Sequence, residues 1–339
     1  MGNDSQLSRI DHNALVANMT GGMISEVPKF SGSKHLHPDG RPRADFRDSL
    51  RKISNTKNIF SIALALLAPL IIIRGAVITS HLIGWVTAFF LIAIAQNRLF
   101  ILHHEAAHRT LFTNRKINDF LGIHLIGLIT FGTGSHGYRI NHLAHHRDEF
   151  GPNEPDFLLY SLYPISKASM RRKLTRDVLG ISALRILRPR FKKLNEIKKL
   201  KLTAAFLLGQ TLIFLTFAIT SRPWLYLFLW AAPWAFVYQV LNRLRAIAEH
   251  GGMTQSTDRR YTTHHVRQTL LARLAITPYK VGYHLAHHID MSIPWRNLPK
   301  LHKVLIEDGY LTNETVWPNY RTLWRALRSG DEPQLISEK

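Results

Sequence analysis

Two long apolar blocks constrain this chain more than any other feature. The first runs from Ile59 to about Phe100 and the second from Leu202 to Leu241. Each is interrupted once, at Arg74 and Gly75 in the first and at Ser221, Arg222 and Pro223 in the second. A helix needs ~20 apolar residues to cross the hydrocarbon of a bilayer. The half-blocks are close to that length, so the pattern predicts four transmembrane helices in two hairpins. The shortest, Ile59 to Ile73, holds Pro69 and calls for a tilted or kinked helix. Between the hairpins, Ile117 to Phe131 is apolar but carries Asp119, His124 and several glycines, so it reads as interfacial or re-entrant. The following Thr133–Gly134–Ser135–His136–Gly137 reads as a loop.

Charge gives an independent test of this topology. The formal net charge is +21, from 44 Lys and Arg against 23 Asp and Glu. Such an excess requires an acidic partner, either nucleic acid or an anionic membrane surface. The hairpin turns carry one arginine each, Arg74 and Arg222. The stretch between the hairpins carries thirteen basic residues from Lys167 to Lys201, among them Arg171, Arg172, Lys173, Arg188, Lys198 and Lys199. Basic loops stay in the cytoplasm, which places both termini and the central segment there. Anionic headgroups attract such residues by ~1 kcal/mol each and explain the surface better than nucleic acid does. The first 57 residues are polar, without the apolar core of a secretory leader. Insertion therefore begins with the first span, in a bacterial inner membrane or the endoplasmic reticulum.

Zero cysteines exclude thiolate metal sites, iron–sulfur clusters and cysteine nucleophiles within the chain. Nineteen histidines make imidazole the candidate ligand for any metal. They cluster. His104 and His108 stand at i and i+4 beyond the second span. His142, His145 and His146 stand at i, i+3 and i+4, and His284, His287 and His288 repeat that spacing with Leu and Ala between. Each set shares one face of a helix. His250 follows Glu249 just past the fourth span. All four clusters fall on the predicted cytoplasmic side. A catalytic zinc takes three protein ligands, so eight or nine imidazoles suit two metal ions.

These residues resemble the histidine boxes of the membrane fatty acid desaturase family, which includes related hydroxylases and carotenoid ketolases. The resemblance spans about residues 58 to 305, through Tyr283 before the last box and Ile293-Pro294-Trp295-Arg296-Asn297-Leu298-Pro299-Lys300-Leu301-His302 after it. It implies an all-α integral membrane protein whose four transmembrane helices carry a cytoplasmic helical cap holding the boxes. It further implies two non-haem irons held by His104, His108, His142, His145, His146, His250, His284, His287 and His288, with O2 as co-substrate. The expected reaction is desaturation of a fatty-acyl chain, with hydroxylation or ketolation of a lipid, alkane or carotenoid as the alternative. Electrons would come from a separate ferredoxin or cytochrome b5 with its reductase. On this reading residues 1–57 form a polar cytoplasmic segment, 58–310 the membrane catalytic domain and 311–339 a cytoplasmic tail. Some acyl-CoA desaturases hold an asparagine four residues before the histidine matching His250; here that position is Ala246.

Glu105, Asp148, Glu149, Asp156, Glu249 and Asp290 are candidates to accept N–H bonds from the ligating rings. His103, His124, His136, His264, His265 and His302 read as structural or solvent-facing, with His103 also placed to contact the centre. Two rivals explain less. His104-Glu105-Ala106-Ala107-His108 fits the HExxH pattern of a membrane zinc protease, which leaves both triplets unused. A metal transporter would line its spans with histidines, whereas these flank them. His37-Pro38-Asp39-Gly40 reads as a turn.

Overall fold

The structure, a computed structural model, describes residue 23 and residues 26–131, 136–192, 194–312 and 315–330. Four of its helices are long and apolar enough to cross a membrane among the described residues: Asn55–Thr79, Leu82–Ala107, Ile197–Ile219 and Trp224–His250. In chain order we name α1 (Ala44–Leu50), α2 (Asn55–Thr79), α3 (Leu82–Ala107), α4 (His136–Arg147), α5 (Ile197–Ile219), α6 (Trp224–His250), α7 (His284–Ile289), α8 (Leu298–Glu307) and α9 (Tyr320–Leu327).

The first hairpin does not break at Arg74 and Gly75, as the sequence suggests. α2 continues through both to Thr79, and the chain turns at Ser80, whose φ of 45° is left-handed. A glycine inside a helix costs only ~1 kcal/mol relative to alanine, and an arginine near a span end can extend to the interface. The stop comes where His81 caps α3, its Nδ1 accepting from the Ile83 amide at 3.2 Å. The first span is thus 25 residues long, and it accommodates Pro69 within one helix. The second hairpin turns at residues 220–223, between α5 and α6, where the sequence places it. α6 is not a uniform helix. It widens into π turns at Leu227–Ala231 and Trp234–Tyr238 on either side of Pro233, whose missing N–H breaks the regular bonding pattern.

Lipid-facing surface is plain on α2, where Phe60 is 70% exposed and Ile71 65%. Inward polar groups tie the spans together instead: Gln96 Nε2 on α3 donates to the Trp230 carbonyl of α6 at 2.7 Å. With no water to compete, such a bond fixes the relative height of the two helices.

Residues 115–129 are helical throughout, with a π segment at Asp119–Leu125, and pack on α3 and α5. Gly122 permits this: a Cβ there would stand 2.1 Å from Ala106 Cβ. The loop expected before the second box lies partly outside the described residues, at Thr133 to Ser135. His136 and Gly137 belong not to that loop but to the start of α4.

The cap closes over one end of the bundle. The His37 carbonyl accepts from the Gly40 amide at 2.9 Å, confirming a turn, and Gly40 (φ 80°) lies flat against Tyr310. Leu36, Leu50, Leu285, Leu301 and Tyr310 form one small core around α7 and α8. A two-residue parallel pair, β1 (His265–Val266) with β2 (Val316–Trp317), ties the C-terminal segment in, and α9 packs on α6 beneath it.

Candidate metal centre

The ends of α3 and α6 deliver the first and third histidine clusters to the same level. The last carbonyls of a helix have no partner within it. At the end of α3, Asn118 Nδ2 donates to the Ala106 carbonyl at 2.9 Å and Arg139 Nε to the Ala107 carbonyl at 3.0 Å. Arg139 is itself paired with Asp119. These bonds fix the turn that carries His104 and His108.

All nine histidines come together, eight of them buried and His108 half-buried. They form two groups. In the first, His104, His108, His142, His146 and His287 each offer a nitrogen within 4.8 Å of the others. His142 Nε2 lies 2.8 Å from His108 Nε2 and 3.2 Å from His146 Nε2, which lies 3.1 Å from His287 Nε2. In the second, His145, His250 and His288 meet the same criterion. His284 joins them, its Nε2 3.1 Å from those of both His250 and His288. The groups touch where His146 stacks on His288, ring centroids 4.2 Å apart.

Each triplet is divided between the groups, which refines the single-face expectation. Successive helical residues turn by ~100°, so i+4 falls about 40° from i on one side and i+3 about 60° on the other. α4 therefore sends His142 and His146 to the first group and His145 to the second. α7 does the reverse, sending His284 and His288 to the second group and His287 to the first.

Burial pushes His142, His146, His284 and His288 well below the usual imidazole range, and neighbouring rings push them further, Glu149 opposing at His288. His287 is lowered to about 3 by the same burial. These rings are neutral at physiological pH, the form that ligates a metal. His145 differs. Burial would lower it, but the Glu154 hydrogen bond and the charges of Glu154, Glu149 and Asp156 outweigh burial and raise it.

Four glutamates stand behind the rings. Glu154 Oε1 lies 2.5 Å from His145 Nδ1. Glu149 Oε1 is 3.0 Å from His250 Nδ1 and 3.4 Å from His288 Nδ1, and Glu249 Oε1 is 3.5 Å from His284 Nδ1. His250 Nδ1 also lies 3.0 Å from the Thr262 carbonyl. In the first group, only Glu105 reaches a ring nitrogen among the described residues, His104 Nδ1 at 3.2 Å. Of the acids expected in this role, Glu105, Glu149 and Glu249 are therefore in place. Asp148 instead caps the Asn153 amide at 2.7 Å, Asp290 pairs with Arg47 at 2.5 Å, and Asp156 bonds none of the nine rings among the described residues.

Glu154 is absent from those expectations, because no spacing in the sequence marks it. Among the other histidines, His103 Nδ1 donates to the Gly122 carbonyl (2.9 Å), and His264 donates through Nε2 to the Gly251 carbonyl (2.6 Å) and accepts at Nδ1 from Trp317 Nε1 (3.1 Å). His265 stacks on His302, and the side chain of His136 lies outside the described residues.

The chemistry of this donor set fits two metal ions. Neutral nitrogens aimed at one another at about 3 Å have too few protons to satisfy all their lone pairs by mutual hydrogen bonds. His104 Nε2 is buried and has no hydrogen-bond partner among the described residues. A buried ring nitrogen left so costs ~1–3 kcal/mol, and a cation between the rings removes the deficit.

Four membrane-length helices with these grouped imidazoles at their ends define a class of membrane protein whose histidines could hold metal ions. The pattern of one such family, described as fatty acid desaturase, matches residues 80–320, and the chain belongs to that family. Among characterised relatives it is similar to dihydrorhizobitoxine desaturase of Bradyrhizobium elkanii, 27% identical over 249 residues that cover 68% of this chain and 70% of that protein.

Proposed function

We propose that this protein is an O2-dependent di-iron desaturase that introduces a double bond into a fatty-acyl chain. The observation that carries the proposal is the convergence of nine histidines, divided five and four, beside an apolar cleft between the spans. His104, His108, His142, His146 and His287 would hold one iron, and His145, His250, His284 and His288 the other. Bound there, the iron pair supplies the oxidant for R–CH2–CH2–R + O2 + 2e− + 2H+ → R–CH=CH–R + 2H2O.

The chain's own residues then have two tasks. The first is to admit and align the substrate. A cavity of about 140 Å3, lined by Phe100, Phe131, Trp234, Tyr238 and Gln96 among others, opens between α3 and α6. Phe100 packs on Tyr138 with centroids 5.4 Å apart, and Tyr138 lies parallel to His142 at 5.5 Å. This wall of rings leads from the cavity to the first group and suits an extended alkyl chain. Displacement of the reacting methylenes by ~1 Å changes rate strongly, which is the reason for rigid aromatic walls. The second task is to keep the ligands neutral, which burial favours, and oriented, which the four glutamates do.

The active site, both termini and the basic central segment face the cytoplasm in this proposal, as the lysine and arginine distribution requires. Electrons arrive from a separate donor of the ferredoxin or cytochrome b5 type. Expression in a lipid-producing host, followed by mass spectrometry of the lipids, tests the reaction. New double bonds are expected; hydroxylated chains without unsaturation would replace desaturation by hydroxylation. His145→Ala and His287→Ala should each abolish product and lower bound iron, and retained turnover in either overturns the proposed centre.

A further inference from the structure

A second cavity, of about 160 Å3, opens in the cap on the turn that leads into α7. Its lining includes His265, Arg267, Gln268, Arg273, Tyr283 and His302, none of them among the nine grouped histidines. The volume is roughly five times a water molecule's share of the liquid, enough for one small oxyanion.

Three observations define its ligand. Arg267 and Arg273 are both exposed, and neither has a carboxylate partner among the described residues; Arg273 only reaches the Tyr283 hydroxyl, at 3.4 Å. The nearby Arg259 and Arg260 are paired, with Glu149 and Asp258 respectively. Two free guanidiniums at one cavity form a site of positive potential suited to phosphate or carboxylate oxygens. Next, His265 is only 5% exposed, yet its ring has no hydrogen-bond partner among the described residues and simply stacks on His302 at 4.4 Å. A ring on a cavity wall with no partner among the described residues is available to a ligand in the cavity.

The third observation selects the source of the oxyanion. Leu270, Leu271 and Leu274, between the two arginines and just beyond them, are 74%, 73% and 49% exposed. Their segment is pinned to a membrane span: Asn97 Nδ2 of α3 donates to the carbonyls of Ala275 at 2.8 Å and Ile276 at 3.1 Å. Asn97 lies three residues before Phe100, where the apolar block ends, or about 5 Å inside that end along the helix axis. Leucines held at that depth face hydrocarbon, and flanking arginines then stand at headgroup level.

We propose that this pocket binds the phosphate of an anionic membrane lipid, with Arg267 and Arg273 on its oxygens, His265 and His302 as further donors, and Leu270, Leu271 and Leu274 against its acyl chains. The site is independent of the metal chemistry and would persist if the desaturase reading failed.

Native mass spectrometry of the detergent-purified full-length protein, titrated with short-chain phosphatidic acid, short-chain phosphatidylcholine and inorganic phosphate, provides the test. Saturable binding of one phosphatidic acid is expected, at least tenfold tighter than phosphatidylcholine and tighter than inorganic phosphate. The double variant Arg267→Gln, Arg273→Gln should weaken phosphatidic acid binding at least tenfold while iron content and melting temperature stay unchanged. A second variant, Leu270→Ser, Leu271→Ser, should weaken the lipid and leave inorganic phosphate unaffected, which keeps the test open if the first variant is unstable. Equal affinity in wild type and both variants overturns the site. Inorganic phosphate binding as tightly as the lipid overturns the lipid assignment.

Discussion

The five-histidine and four-histidine groups draw on the same two triplets, yet what stands behind them differs. Behind the second group are three glutamates, Glu149, Glu154 and Glu249, each within 3.5 Å of a ring nitrogen. Behind the first, among the described residues, stands Glu105 alone. A carboxylate accepting an N–H bond makes the imidazole a stronger donor and offsets part of the metal's charge. Four rings with three carboxylates behind them, two of these also paired with Arg245 and Arg259, and five rings with one carboxylate make two inequivalent positions. The second should hold its metal more tightly and favour its higher oxidation state.

The sharpest way to break this comparison is to remove one ring from each side. His142→Ala and His288→Ala should each reduce iron from two to one per chain and lower activity at least a hundredfold, measured by elemental analysis and product assay. Mössbauer spectra of the two variants should differ, and identical spectra would remove the distinction between the groups. Next in size, Arg139→Ala takes from Asp119 its nearest cation, leaving Asn118 at 2.9 Å and Arg109 at 4.0 Å, and takes from the Ala106 and Ala107 carbonyls the bonds that Arg139 donates. Each lost hydrogen bond costs about 1 kcal/mol, so melting temperature should fall and the first group should lose iron before the second. Glu149→Gln weakens two rings at once. Iron affinity at the second group should drop about 10–100-fold, read as faster loss to a chelator. Glu105→Gln touches one ring and should cost the first group about tenfold or less. If it instead costs more than Glu149→Gln, the proposed asymmetry runs the wrong way.

Much of this architecture is legible in the sequence because its causes are periodic. Apolar runs of span length, basic loops on one side and imidazoles at i, i+3 and i+4 each leave a one-dimensional trace. The features that escape are set by three-dimensional contact. Arg74 and Gly75 look like a break, but nothing in their chemistry ends a helix; Ser80 and His81 do, through a left-handed residue and a side-chain cap. Glu154 reaches His145 because the chain folds back after Gly151, its amide accepted by the Gly151 carbonyl at 3.2 Å, and that turn carries no histidine-like spacing. The division of each triplet between groups is implicit in helical geometry, but becomes visible only when two helices face each other.

One feature of the fold reaches beyond the centre itself. α3 runs from the bilayer to His104, and α6, through its two π turns, to His250; the Gln96 bond to Trp230 joins them inside the membrane. They act as two levers with a shared pivot, so a change in lipid thickness that retilts one against the other moves the histidines at their tips. Solubilisation in a poorly matched detergent should therefore bleach the iron signal while circular dichroism still reports an intact helical bundle.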